Sequence, residues 1–339
     1  MGSKVLSILK ELIESAIIKT IGDDLMKAFL IVLGVLLSIA FLVLLISFIC
    51  FLMAFFEPKR KRVNNEFDLP PGKEYEPYHN RMIEWMKQTR KLKFERCSVT
   101  SFDGLTLRGK YYEYKKGAPI ELMFHGYRGS AERDLCGGVQ RCFKLERNVL
   151  LVDQRASGES DGHVITFGVN ESKDCLSWID FLIKRFGKGV KIILTGISMG
   201  AATVMIAAGN ELPKNVVGVL ADCGYTSAKD IIKKVVRGKR LPANIVYPFI
   251  KLGAKIYGGF DLEEMPPIEA LKKCKVPVIF FHGDADGYVP YEMSKLNYEA
   301  CLAPKKLHTV KGADHGLSYP VDSETYLSTL KTFGDKYGW

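Results

Sequence analysis

Histidine is scarce in this chain, with six in 339 residues. His79, His163 and His308 fall at no metal-ligand spacing, and no histidine-cysteine cluster accompanies them, so a zinc site is excluded and no cofactor is implied. Cysteine is present without a framework. Cys50 lies in a long apolar run, and the other seven (97, 136, 142, 175, 223, 274 and 301) are odd in number with no paired spacing. A domain of about 250 residues has core enough without disulfides. Acidic residues are fewer than basic ones, 38 against 48, but no nucleic-acid motif comes with the excess, which argues against a nucleic-acid partner. Gly2 is not a myristoylation site, because Leu6 stands where Ser or Thr is required.

Charge and proline are both missing from Ala28 to Phe56, a run of 29 residues. About 20 apolar residues cross a bilayer as a helix, so this run is expected to be a single transmembrane helix. It ends in bulky Met53, Phe55 and Phe56, unlike the small-residue cleavage site of a signal peptide. Residues 1–27 place Val5, Ile8, Leu9, Leu12, Ile13, Ile17, Ile21 and Leu25 at helical spacing among charges, the pattern of an amphipathic N-terminal segment. Residues 57–93, with four prolines, are expected to form a juxtamembrane linker followed by a helix around His79 to Lys91. Lys59, Arg60, Lys61, Arg62 and Lys73 outnumber Lys10, Lys19 and Lys27 on the other flank, which is expected to put the region that follows the span in the cytoplasm by the positive-inside rule. An outward-facing domain is the alternative.

In residues 94–339, apolar strand candidates alternate with helix candidates: Ile120 to Phe124, helix 131–147, Val149 to Val152, helix 169–186, Val190 to Leu194, helix 199–210. Alternation of this kind predicts a mostly parallel, doubly wound α/β sheet. Phe94 to Ser101 and Leu105 to Tyr114 flank Phe102-Asp103-Gly104 and read as an antiparallel pair ahead of it. Further strand candidates are Val216 to Ala221, Val276 to Phe281 and Leu307 to Val310, with a closing helix from Tyr326 to Trp339.

Between the fifth strand candidate and its helix stands Gly196-Ile197-Ser198-Met199-Gly200. A serine on a sharp strand-to-helix turn, with glycines removing the clashing side chains, is a candidate nucleophile. It needs a base, and the base needs an orienting group. Asp286 follows the strand ending at Phe281, and His315 follows the one ending at Val310, so the order is serine, aspartate, histidine. Asp284 is a rival acid, and Asp222 a third. His125 and His282 each open a His-Gly turn and read as structural, with imidazoles bonded to nearby backbone. Arg155 and Ser160 are expected to brace the loop beneath the serine turn.

With His125-Gly126-Tyr127-Arg128-Gly129 and Asp153-Gln154-Arg155-Ala156-Ser157-Gly158-Glu159-Ser160 ahead of it, this ordered set resembles the α/β-hydrolase superfamily, in particular its serine-aminopeptidase-like and membrane-anchored esterase branch. The resemblance implies Ser198 as nucleophile, His315 as general base, Asp286 as its orienting acid, and an oxyanion hole of the Tyr127 and Met199 backbone N–H groups. It also implies a lid at about 224–267. There, residues 228–257 hold eight Lys and Arg against Asp230 alone, interleaved with apolar residues. Such a lid either touches an anionic membrane surface or steers an anionic substrate, or else packs its apolar stripe on the domain beneath a solvated basic face. The expected activity is hydrolysis of an acyl or lipid-like ester or thioester. An aminopeptidase and a non-catalytic hydrolase-fold scaffold are the alternatives.

Overall fold

The computed structural model describes residues 2–58 and 66–339. The basic cluster Lys59 to Arg62 and part of the expected linker lie outside the described residues. Helix α1 runs unbroken from Gly2 to Ala54, so no helix break separates the charged first half from the apolar second half. From Phe29 to Leu42 its large apolar side chains are exposed all round, a surface a helix in water does not keep. It is the one helix among the described residues long and apolar enough to cross a membrane. Helix α2, His79–Lys91, has the bounds expected from its sequence.

An eight-stranded sheet follows: β1 (Glu95–Thr100), β2 (Thr106–Tyr112), β3 (Ile120–Phe124), β4 (Asn148–Asp153), β5 (Ile192–Ile197), β6 (Val216–Asp222), β7 (Val278–Gly283) and β8 (Lys305–Val310), in the order β1-β2-β4-β3-β5-β6-β7-β8. β2 pairs antiparallel with β1 and β4, and every other pairing is parallel. β3 and β7 are buried throughout, as strands covered on both faces must be, which is why they read as largely apolar runs, with Glu121 in β3 paired to Arg141 and Arg147. The chain leaves β3 toward β4 on one side and returns to β5 on the other. The adjacent C-terminal ends of β3 and β5 thus form the switch point at which open α/β sheets bind ligands.

The expected helix over 131–147 is instead two short ones, α3 (Ala131–Asp134) and α4 (Gly138–Lys144). Consecutive glycines disfavour helix, and a Cβ on Gly137 would come within 2.9 Å of the Trp85 indole. Helices α5 (Val169–Phe186) and α6 (Met199–Ala208) cover the sheet as their patterns require.

In the expected lid, α7 (Ala228–Gly238) and α8 (Ala243–Ile256) bury Ile231, Ile232, Val236, Tyr247 and Ile250 in one cluster with Phe51 of α1 and Phe55 just after it. α8 lies directly on the last turns of α1: a Cβ on Gly253 would meet the Ser47 carbonyl at 2.4 Å, and Tyr257 Oη donates to Leu44 O at 3.0 Å. The lid's charge is partly paired within it, since Glu263 lies 3.0 Å from Lys251 and 3.9 Å from Lys229. After the short α9 (Pro267–Leu271), a helix not expected from the pattern, α10 (Tyr291–Ala300), joins β7 to β8. The short α11 (Ser318–Val321) and then α12 (Ser323–Tyr337) close the chain.

Candidate active site

Ser198 sits between β5 and α6 at φ 57° and ψ −118°, a left-handed conformation that costs a non-glycine residue about 1–3 kcal/mol. Its neighbours hold it there. A Cβ on Gly196 would lie 2.0 Å from Gly200 O, and one on Gly200 would lie 2.1 Å from Phe124 O, so both positions exclude side chains. The Ser198 N–H donates to Asp222 O at 2.8 Å, tying the turn to the end of β6.

The turn aims the hydroxyl at His315, whose Nε2 is 2.9 Å from Ser198 Oγ. On the other side of the ring, Nδ1 is 2.8 Å from Asp286 Oδ2. A carboxylate at Nδ1 keeps the proton there and leaves Nε2 to accept from the serine, the arrangement of a general base. The two loops carrying the pair are stitched by Asp314, whose Oδ1 accepts from Gly287 N at 2.9 Å and His315 N at 2.7 Å.

Asp286 has two further partners on Oδ1, the N–H groups of Tyr288 and Val289 at 2.8 and 2.7 Å. Its Oδ2 also accepts from His282 Nε2 at 2.9 Å. Burial alone would raise its pKa, but the hydrogen bonds from His282 and His315 outweigh burial and hold the carboxyl well below the usual range. The His282 contact goes beyond the backbone bonding expected of it. Its Nε2 also reaches Val289 O at 3.0 Å, so that nitrogen carries the proton, and Nδ1 lies 2.6 Å from the buried Ser294 hydroxyl. His125 does bond backbone alone, to Gly126 O and Gln154 N.

The rival acids point elsewhere. Asp284 Oδ1 accepts from Gly312 N at 2.6 Å. Asp222 accepts from the hydroxyls of Ser318 at 2.7 Å and Tyr326 at 3.2 Å, and burial pushes its pKa up to about 6. That value lies above the 3.8 of a free carboxyl, so the folded chain retains a proton that the unfolded chain releases. Stability from this group is complete below about pH 4 and is lost as pH rises through 6, a difference of about 3 kcal/mol. Asp222→Asn should therefore flatten the stability profile between those values in a denaturant titration series, and should leave catalysis far less affected than a change at Asp286.

Tyr127 follows β3, and its loop lies against the serine: a Cβ on Gly126 would be 3.8 Å from Ser198 Oγ. Met199 is the first residue of α6, where a backbone N–H has no partner inside the helix and the helix dipole favours negative charge. Arg155 and Ser160 brace the loop after β4: Arg155 holds Asp174 at 2.7 Å and Asp103 at 2.9 Å, and Ser160 Oγ donates to Asp153 O at 2.6 Å. Cys223, Asp286 and His315 are the one grouping of metal-ligand types among the described residues. Burial pushes the Cys223 thiol well up, keeping it protonated, while the carboxylate and imidazole are engaged with each other.

Residues 165–338 match the model of the prolyl oligopeptidase family. The chain is 29% identical over 189 residues to the uncharacterized protein YqkD of Bacillus subtilis, covering 56% of this chain but 62% of YqkD, less than two thirds of its length. It is 26% identical over 232 residues to protein bem46 of Schizosaccharomyces pombe, covering 66% of this chain and 71% of that protein. Among solved structures, the esterase Pf2001 of Pyrococcus furiosus superposes with a TM-score of 0.63 at 20% identity, covering 84% of this chain and 99% of that one. That likeness establishes the α/β-hydrolase fold expected from the motif order. The family match extends over more than half of the residues, and the chain belongs to the prolyl oligopeptidase family.

Proposed function

We propose that this chain is a membrane-anchored serine hydrolase that cleaves an acyl ester or thioester through an acyl-enzyme on Ser198. The observation that carries the reading is the continuous Ser198–His315–Asp286 hydrogen-bond chain, at 2.9 and 2.8 Å, on a strained turn. His315 Nε2 takes the hydroxyl proton as Ser198 Oγ bonds to the substrate carbonyl carbon, and the carbonyl electron pair moves onto oxygen. The N–H groups of Tyr127 and Met199 receive that oxyanion. Collapse expels the alcohol or thiol, protonated by His315. Water, deprotonated in turn by His315, then releases the acid and restores the serine.

α1 is the anchor in this reading. A span of about 20 residues from Ala28 ends near Ser47, where α8 begins to cover the helix. The lid thus lies at the bilayer surface, with exposed Ile245 and Ile256 beside its basic residues, and the basic cluster beyond α1 favours the cytoplasmic side. The family's name supports peptide-bond cleavage as a second reading.

A fluorophosphonate probe tests the reading on the full chain. Wild type should be labelled at Ser198 and Ser198→Ala should not, and an unlabelled wild type refutes catalysis. Acyl esters and thioesters compared with aminoacyl and prolyl amides then choose between the two activities.

A further inference from the structure

A cavity of about 400 Å³ is lined by Ser198 and His315. No residue of α7 or α8 contributes to its lining, so the expected lid does not cover it. Pro70, Tyr75, Met82 and Trp85 do line it, together with Leu135 and Tyr319. The first four belong to the stretch between the anchor and the sheet, which lies ahead of the residues matched by the family model.

Trp85 is fixed on every side. Its ring stacks on Tyr319 with centroids 5.4 Å apart, and the Arg81 guanidinium lies over it at 4.8 Å. Gln140 Nε2 donates to its carbonyl at 3.0 Å, and Arg81 fastens α2 to Pro320 O at 2.7 Å. Gly137 leaves the indole no slack, since even a Cβ there would come within 2.9 Å of it. The indole therefore cannot swing aside for a larger ligand without giving up these contacts. The cavity is at the small end of ligand sites, which run from about 300 to 1,000 Å³.

Building on the hydrolase reading, we propose that residues 66–91 form the acyl-binding wall of the site and that Trp85 limits acyl size, restricting substrates to esters or thioesters of short-chain or single-ring acids. The apolar side chains Met82, Trp85 and Leu135 suit an uncharged acyl group, and the segment that supplies the wall also connects the enzyme to its anchor.

The test compares p-nitrophenyl acetate, butyrate, octanoate and palmitate as substrates of the full chain in lipid nanodiscs. Wild type should favour butyrate over palmitate. Trp85→Ala should raise the palmitate-to-butyrate ratio of kcat/KM by at least about tenfold, and Trp85→Phe should change it little. A wild type that favours palmitate, or a Trp85→Ala protein with the wild-type ratio and wild-type fluorophosphonate labelling, overturns the proposal. If Trp85→Ala does not fold, Met82→Ala opens the same wall and is judged by the same ratio. A wild type that is not labelled at Ser198 defeats the hydrolase reading itself, whereas a labelled enzyme with an unmoved ratio defeats the wall alone.

Discussion

Asp286→Asn should lower kcat by about four orders of magnitude, the size of effect expected when a triad carboxylate becomes an amide. The reason lies in how fully the carboxylate is used. Oδ2 accepts from His315 and His282, and Oδ1 accepts from the N–H groups of Tyr288 and Val289. An amide cannot serve all four donors. With its NH2 in place of Oδ2 it faces two imidazole N–H groups. His315 then moves its proton to Nε2 and can no longer accept from Ser198, while His282 remains committed to Val289 O. With the NH2 in place of Oδ1 it faces two backbone N–H groups, and the loop that positions the acid must open. Stability should fall as well. The folded carboxyl is held below its unfolded value, so its contribution is complete above about pH 4 and is lost as pH drops through the folded pKa. The wild-type and Asp286→Asn unfolding curves should thus differ most at neutral pH and converge in acid. A steady-state assay paired with denaturant unfolding at several pH values checks both parts, and near-wild-type turnover would remove Asp286 from the mechanism.

The motif that proposed this acid was legible because its residues stand at strand ends, where chain order alone reports their neighbourhood. β3 and α5 were legible for a related reason, since burial on both faces writes a short apolar run into the sequence and burial of one stripe writes the helical period. Three features left no such mark. His282 resembles any histidine in a His-Gly turn, and its tie to Asp286 depends on how the loop folds back; an aspartate four residues on was the available hint. Gly137 and Gly138 interrupt an otherwise helical pattern because Trp85 packs on Gly137 from 52 residues away. The meeting of α1 and α8 is hidden because the second half of α1 is apolar on every face, so no stripe distinguishes the side that meets α8 from the rest. Close backbone approach at Gly253 is its only local trace. The family resemblance likewise made the basic stretch look like the cover of the site, whereas its apolar stripe packs on α1.

That packing leads to the second large effect: the double variant Tyr127→Phe, Arg128→Ala should lower kcat by about a hundredfold while leaving KM for a small ester nearly unchanged. The last carbonyls of a helix lack partners inside it, and here the loop after β3 supplies them. Tyr127 Oη donates to Ala54 O at 2.8 Å, and Arg128 Nη2 donates to Met53 O at 3.1 Å and Phe56 O at 3.0 Å, with Glu57 paired to the same guanidinium at 2.9 Å. Phe55 is fully buried against Phe167, whose ring also contacts Tyr127 at 5.0 Å. Arg128 itself sits at φ 52°, a conformation that surrounding contacts must maintain. The N–H proposed to receive the oxyanion is therefore held in place by the end of α1. Phe at 127 keeps that N–H but loses the tie, so the damage should fall on the transition state, at the scale of one misplaced oxyanion donor. The rate of fluorophosphonate labelling should slow in parallel, because phosphonylation uses the same donors. A double variant with wild-type kcat would mean that the loop holds its shape unaided and that α1 serves the enzyme only as a tether.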